Sequence, residues 1–220
     1  MIALDLPDTG KLEVLCLGAH CDDIEIGCGG TLLALLERSP KPSLQWVVFC
    51  SNPERRLECE KSAELFLGAQ QKPRVLDFRD GFLPYQGGAV KEKFEELKRE
   101  YKPDLILTHY RNDRHQDHRL ICELTWNTWR NHMIWEYEIP KYDGDLGSPN
   151  LFVPLGAEHV RKKLEYVLEC YGSQQSRQWF DAETLSGLMR LRGVEANAPS
   201  RYAEAFYTPK LVVAPIRAGA

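Results

Sequence analysis

The sequence predicts an α/β fold, a mostly parallel central sheet with helices on both faces, and two observations carry that expectation. Short, continuously apolar runs alternate along the chain with segments whose apolar residues recur at helical spacing, the pattern of repeated strand-helix units. The chain has 220 residues, 43% of them hydrophobic, enough to bury a sizeable core, and it is read as one domain over 1–220. Strands are expected over 12–18, 43–50, 74–78 and 104–109, each an apolar run rich in Val, Leu, Ile or Phe. Between the last two lies a helix with Val90, Phe94, Leu97 and Tyr101 on one face, which must end before Pro103. A second clear helix over 157–171 aligns Val160, Leu164, Val167, Leu168 and Tyr171. The stretch 142–150 is rich in turn formers and reads as a surface loop, and neither repeats nor low-complexity tracts occur.

Charge and cysteine usage narrow the function classes. With 32 acidic and 28 basic residues the net charge is −4, so no broad basic surface is available for a phosphate backbone and nucleic acid is not an expected partner. Apolar runs fall far short of the roughly 20 residues that span a bilayer, and the opening Met1 to Pro7 lacks the basic start and apolar stretch of a signal peptide. A cytoplasmic protein without a transmembrane segment is expected. The 7 cysteines are odd in number, form no C-x-x-C pair and sit mainly in apolar segments, which suits neither a disulfide framework nor a Cys-based zinc finger.

Ligands of open parallel sheets bind beyond the carboxyl ends of the strands, so the residues just after each expected strand carry the chemistry. After the first comes His20-Cys21-Asp22-Asp23, one imidazole and two adjacent carboxylates that point in different directions from a loop. One carboxylate can bind a cation while the other faces substrate; the plainer alternative is that Asp22 or Asp23 caps a helix starting near Glu25. After the fourth strand, His109, His115 and His118 crowd together with Asp113 and Asp117, although the whole chain holds only 6 histidines. If His118 opens a helix through Leu120, Ile121 and Leu124, both clusters face one crevice. His20, Asp23 and His118 then make a two-imidazole, one-carboxylate set with a place left for water, which suits catalytic Zn²⁺ and also non-haem Fe(II). Bound Zn²⁺ brings the pKa of its water from about 15.7 towards about 7, and Asp22 is the candidate base beside it.

These residues resemble a known family. Ala19-His20-Cys21-Asp22-Asp23-Ile24-Glu25-Ile26-Gly27-Cys28-Gly29-Gly30 and His115-Gln116-Asp117-His118 are similar to the A-H-P-D-D-x-E-x-G-x-G-G and H-x-D-H motifs of the PIG-L/LmbE-like zinc-dependent N-deacetylases. The resemblance runs over roughly residues 10–210 and implies a Rossmann-like three-layer sandwich. It implies His20, Asp23 and His118 as zinc ligands, Asp22 as general base, and His115 as proton donor or oxyanion stabiliser oriented by Asp117. It further implies Arg56 and Asp80 as substrate-binding residues, and a small-molecule N-acetyl amino sugar, of GlcNAc type on a glycoside, lipid or nucleotide, as substrate. Two positions depart from the pattern: Cys21 stands for the usual Pro, which restores a backbone N–H, and Cys59 stands where a Glu follows the arginine by three.

The alternatives are a zinc amidase acting on another N-acyl or thiol-conjugate substrate, a zinc-binding relative without catalysis, and a nucleotide-binding module. The last is disfavoured because Gly27-Cys28-Gly29-Gly30 lacks the G-x-G-x-x-G spacing and the acidic pair would repel a pyrophosphate. Trp126, Trp129, Trp135 and Tyr137 could stack on a sugar, but core packing is the reading favoured for aromatics at such spacing. A homo-oligomer is left open by the sequence.

Overall fold

The computed structural model describes residues 3, 5–6, 10–69 and 71–212. The remaining positions of the single domain expected over 1–220, and most of the opening stretch on which the absence of a leader was read, lie outside the described residues.

Seven strands form one sheet in the order β3-β2-β1-β4-β5-β7-β6: β1 (Glu13–Gly18), β2 (Ser43–Cys50), β3 (Arg74–Phe78), β4 (Leu105–His109), β5 (Met133–Tyr137), β6 (Leu151–Pro154) and β7 (Ala203–Tyr207). The first five are parallel to one another, while β7 runs antiparallel to both β5 and β6. The expected α/β class with a mostly parallel sheet is therefore what the chain forms. Alternation along each strand explains the three layers. Val14, Cys16, Trp46, Val48, Leu105 and Leu107 point into one apolar core, under α1 (Asp23–Leu35), α2 (Pro53–Leu67) and α5 (Ala157–Cys170). Their neighbours Leu15, Leu17, Val47, Phe49 and Ile106 point into the other, under α3 (Gly87–Glu100) and α4 (Gln116–Thr128). Side chains alternate across a strand, so only near-continuous apolarity can fill both faces.

The four expected strands are present to within a residue, and so is the helix expected over 157–171; the other clear helix begins at Gly87 and ends at Glu100, with Tyr101 just beyond it. β5, β6, β7 and helix α6 (Ala182–Glu195) were not anticipated. Trp135 and Tyr137 sit on β5 with their rings buried, and Trp129 is buried as well, which places three of the four flagged aromatics in the core. All seven cysteines are free and buried.

The sheet positions the site. The chain passes from β1 to β2 and β3 on one side, then returns to β4 on the other side of β1, which opens a crevice beyond the carboxyl ends of β1 and β4. The loop after β1 reaches that crevice because α1 packs unusually close to the sheet. A Cβ on Gly27 would lie 2.2 Å from the Tyr137 ring, whose hydroxyl donates to the Leu17 carbonyl at 2.7 Å, so only glycine admits this approach. Helical geometry breaks at Cys28 (φ −146°, ψ 16°), and a buried ion pair serves the backbone groups around the break. Lys163 Nζ donates to the Ile26 carbonyl and to Glu204 Oε1, each at 2.6 Å, while the Glu204 carboxylate accepts from the amides of Gly30 and Thr31.

Candidate metal centre and cleft

Three side chains converge at the head of the crevice. His20 Nδ1 lies 3.1 Å from His118 Nε2 and 3.3 Å from Asp23 Oδ2, and His118 Nε2 lies 3.4 Å from Asp23 Oδ1. His20 comes from the loop after β1, Asp23 is the first residue of α1, and His118 lies in the first turn of α4.

The outer nitrogens of both rings are held by carboxylates. His118 Nδ1 is 2.9 Å from Asp113 Oδ2, and His20 Nε2 is 3.0 Å from Asp80 Oδ1 and 3.4 Å from Asp117 Oδ2. Each ring N–H is thereby drawn outward, and the lone pairs of His20 Nδ1 and His118 Nε2 turn inward. Asp117 is locked by the amides of Gly81 (2.7 Å) and Leu83 (3.1 Å), and Asp113 by the His115 amide and the Lys141 ammonium. Burial alone would raise the Asp23 carboxyl, but the facing imidazoles of His118, His109 and His20 hold it well below the usual carboxylate range.

Edges of 3.1 to 3.4 Å are close to the roughly 3.3–3.6 Å that separate tetrahedral vertices when N and O ligands lie about 2.0–2.2 Å from zinc. The donor set, its spacing and its carboxylate supports fit a divalent metal such as zinc. His109, at the end of β4, lies beneath it. Its ring stacks on His118 at 3.9 Å, its Nε2 accepts from the Ala19 amide at 2.9 Å, and burial pushes it down to about 4, so it is neutral at ordinary pH.

The centre opens into a cleft of about 630 Å³. Asp22 lines it, and no side-chain capping bond is made by Asp22 at the start of α1, which removes the capping alternative for that residue. Its Oδ1 instead accepts from Arg55 Nη2 at 2.7 Å. Burial raises the Asp22 carboxyl above its ordinary range, against the pull of Arg55. His115, the N-cap of α4, also lines the cleft. Its Nδ1 accepts from the Asp117 amide at 3.2 Å, so the neutral ring carries its proton on Nε2.

Two sequence-based assignments change. Arg56 turns away from the cleft, donating to the Val75 carbonyl at 2.7 Å and to Ser51 Oγ at 3.4 Å; the arginine of α2 that lines the cleft is Arg55. Successive residues on a helix diverge by about 100°, so a one-residue error in register points at the wrong face. With Arg55 as the reference, the glutamate three residues on is Glu58, which accepts from Ser173 N and Oγ, and the apparent departure at Cys59 disappears. Asp117 orients His20 rather than His115, because its carboxylate points back to the β1 side while only its backbone amide meets His115. Asp80 stands at the mouth, its side chain largely exposed yet in contact with His20. Sequence reasoning missed Asp113 as a support and Lys141 altogether; Asp113 lies in the same histidine-rich run, whereas Lys141 had no local signal.

An α/β sheet with histidines and carboxylates gathered at its switch point is the arrangement of an enzyme site. The family model described as PIG-L, GlcNAc-PI de-N-acetylase, matches residues 15–129, and the chain belongs to that family of amide-bond hydrolases. Solved structures share the fold. The N,N'-diacetylchitobiose deacetylase of Pyrococcus horikoshii, complexed with its inhibitor MPG, is 23% identical with a TM-score of 0.70, over 89% of this chain and 83% of that one. The zinc-inhibited form of teicoplanin deacetylase Orf2 is 15% identical with a TM-score of 0.69, over 89% and 97%. The 4-carboxy-2-hydroxymuconate hydratase GalB of Pseudomonas putida KT2440 is 18% identical with a TM-score of 0.70, over 94% and 100%. A hydratase on the same fold means that the reaction has to be argued from the site. No helix among the described residues is long and apolar enough to cross a membrane.

Proposed function

We propose that this protein is a zinc-dependent N-deacetylase that hydrolyses the acetamide of an N-acetyl amino sugar of GlcNAc type, releasing acetate and a free amine. The observation that carries the reading is the inward turn of His20 Nδ1, His118 Nε2 and the Asp23 carboxylate toward one point beside a second carboxylate, Asp22, in an open cleft. His20, Asp23 and His118 would hold the ion. When bound, zinc supplies Lewis acidity, which polarises a carbonyl and makes water acidic enough to react near neutral pH.

The chain supplies the proton transfers. Asp22 takes the proton of the attacking water on Oδ2, since Oδ1 is held by Arg55, and its burial-raised affinity for protons suits a base working near neutrality. The neutral His115 ring presents its Nε2–H to the developing oxyanion, and the proton that Asp22 has taken from water passes to the departing nitrogen, which cannot leave as an amide anion. Arg55 orients Asp22. The fixed supports of Asp113 and Asp117 keep both imidazoles in the tautomers that binding a cation requires.

The test is acetate release by zinc-loaded protein from a panel of N-acetylglucosamine glycosides, a nucleotide-linked N-acetyl sugar and simple N-acetyl amines. Acetate from the sugars, lost after chelation and restored by zinc, is the expected result. No acetate from any member at stoichiometric zinc would overturn the proposal.

A further inference from the structure

We propose that Ser173 and Tyr171, in the turn after α5, act as positioning residues: they clamp the Arg55 guanidinium, keep it from the neighbouring Glu58 and so set where the Asp22 carboxylate points. This rests on the deacetylase reading above, in which Asp22 is the base.

Arg55 reaches Asp22 through one amino group, Nη2 on Oδ1 at 2.7 Å. A guanidinium is a flat fork on a flexible stem, and one end-on bond leaves it able to swing about the contact. The turn after α5 restrains the rest of the fork. Nη1 donates to Ser173 Oγ at 3.1 Å, and the face of the group lies over the Tyr171 ring at 5.3 Å. Tyr171 is itself wholly buried, with its hydroxyl donating to Glu25 Oε1 in α1. Edge and face of the fork are both fixed by a segment more than a hundred positions away in sequence.

Two carboxylates compete for Arg55. Glu58 stands three residues further along α2, the spacing at which an arginine and a glutamate on one helix pair directly. They come no closer than 3.9 Å, between Nε and Oε2, because Glu58 is taken by Ser173. The Ser173 amide donates to Oε1 at 2.8 Å and its hydroxyl to Oε2 at 2.6 Å. A hydroxyl has one proton and two lone pairs; here the proton goes to Glu58, and the lone pairs accept from Arg55 and from Gln174 Nε2 at 3.1 Å. Its orientation is therefore fully specified. Ser173 occupies the wrong carboxylate and leaves Nη2 for the right one. Fold stability does not require this arrangement of a half-buried residue on the cleft wall, whereas holding a base in place does.

The test combines kinetics with a signal that does not depend on turnover, both on zinc-loaded protein. S173A should lower kcat for acetate release by roughly three- to tenfold with KM little changed, and S173T, which keeps the hydroxyl, should retain most of the rate. In an R55A background S173A should have no further effect on kcat, because its action passes through Arg55. S173A combined with E58Q should recover part of the loss, since the competing carboxylate is gone. In protein carrying ¹⁵N-arginine, Arg55 should give separate Nη1 and Nη2 resonances that merge in folded S173A as the guanidinium begins to rotate. Equal fold-losses from S173A with and without Arg55, no recovery on adding E58Q, or Arg55 resonances unaltered in folded S173A would each overturn the clamp. If the resonances merge as expected while the parent protein hydrolyses no N-acetyl sugar, the clamp on Arg55 stands and the reaction assigned above is the part that fails.

Discussion

Asp113 Oδ2 lies 2.9 Å from His118 Nδ1, and both groups are almost wholly buried. That contact decides which nitrogen of His118 faces the crevice: the ring proton points to the carboxylate and Nε2 is left with its lone pair inward. Removing such a support loosens the ring and lowers its basicity. Asp113→Ala should therefore lower zinc affinity by roughly 10–100-fold with the fold retained, measured by chelator competition. Affinity equal to that of the parent protein would show that Asp113 supports the local fold alone.

Asp22 is not one of the three converging ligands, so its loss should separate binding from chemistry. Asp22→Asn should keep stoichiometric zinc while kcat for acetate release falls by roughly 10²–10⁴. Loss of zinc in this variant would instead make Asp22 part of the binding set.

Arg55 and Arg56 are neighbours in sequence but face different ways on α2. Arg55→Ala should cut kcat/KM by roughly ten- to a hundredfold, because Asp22 loses the group that positions it. Arg56→Ala should act chiefly on melting temperature, since its bonds go to Val75 and Ser51 at the edge of β3. Paired kinetics and thermal melts of the two variants check the assignment.

How much of this was legible in the sequence follows from what kind of signal each part leaves. β1, β2 and β4 are apolar on both faces, and the histidines and aspartates that follow β1 and β4 stand in short runs, so fold and metal cluster could both be read locally. β6 is an edge strand of only four residues, and β7 gives Glu204 to the break in α1, so neither leaves a strong periodic signal. Arg55, Lys141 and Ser173 depend on which way a side chain turns and on contacts between segments far apart in sequence. No spacing rule carries that information. The resemblance placed the arginine one position late, a shift that a helix converts into a different direction.

Gly27 gives a test of how α1 is seated. Gly27→Ala would put a methyl group 2.2 Å from the Tyr137 ring, whose hydroxyl is anchored on β1, so the helix has to move. A loss of about 1–3 kcal/mol in unfolding free energy is expected, together with weaker zinc binding because Asp23 travels with the helix. Gly88→Ala, where nothing lies within 4 Å of the added carbon, serves as the control and should change little.

Glu25 sets a pH dependence of stability. Its Oε1 accepts from Ser62 Oγ at 2.5 Å and from the Tyr171 hydroxyl, its Oε2 has no partner among the described residues, and burial pushes its carboxyl up from 4.5 to about 8. The folded protein thus holds a proton that the unfolded chain releases earlier. The resulting stabilisation is complete below the unfolded value and is lost as pH rises through the window from 4.5 to about 8. Wild-type unfolding free energy should fall relative to Glu25→Gln across that window, by a few kcal/mol on the order of magnitude of the shift. Parallel curves for the two proteins would contradict the buried, protonated carboxyl.

The central claim is a single divalent ion held by His20, Asp23 and His118. The most direct measurement is anomalous diffraction at the zinc edge from crystals of zinc-loaded protein. The account predicts one strong peak bonded by His20 Nδ1, an Asp23 oxygen and His118 Nε2, with Asp22 beside it and unbonded to it. A peak ligated by other residues, or crystals that hold no ion at that point after loading, would contradict it.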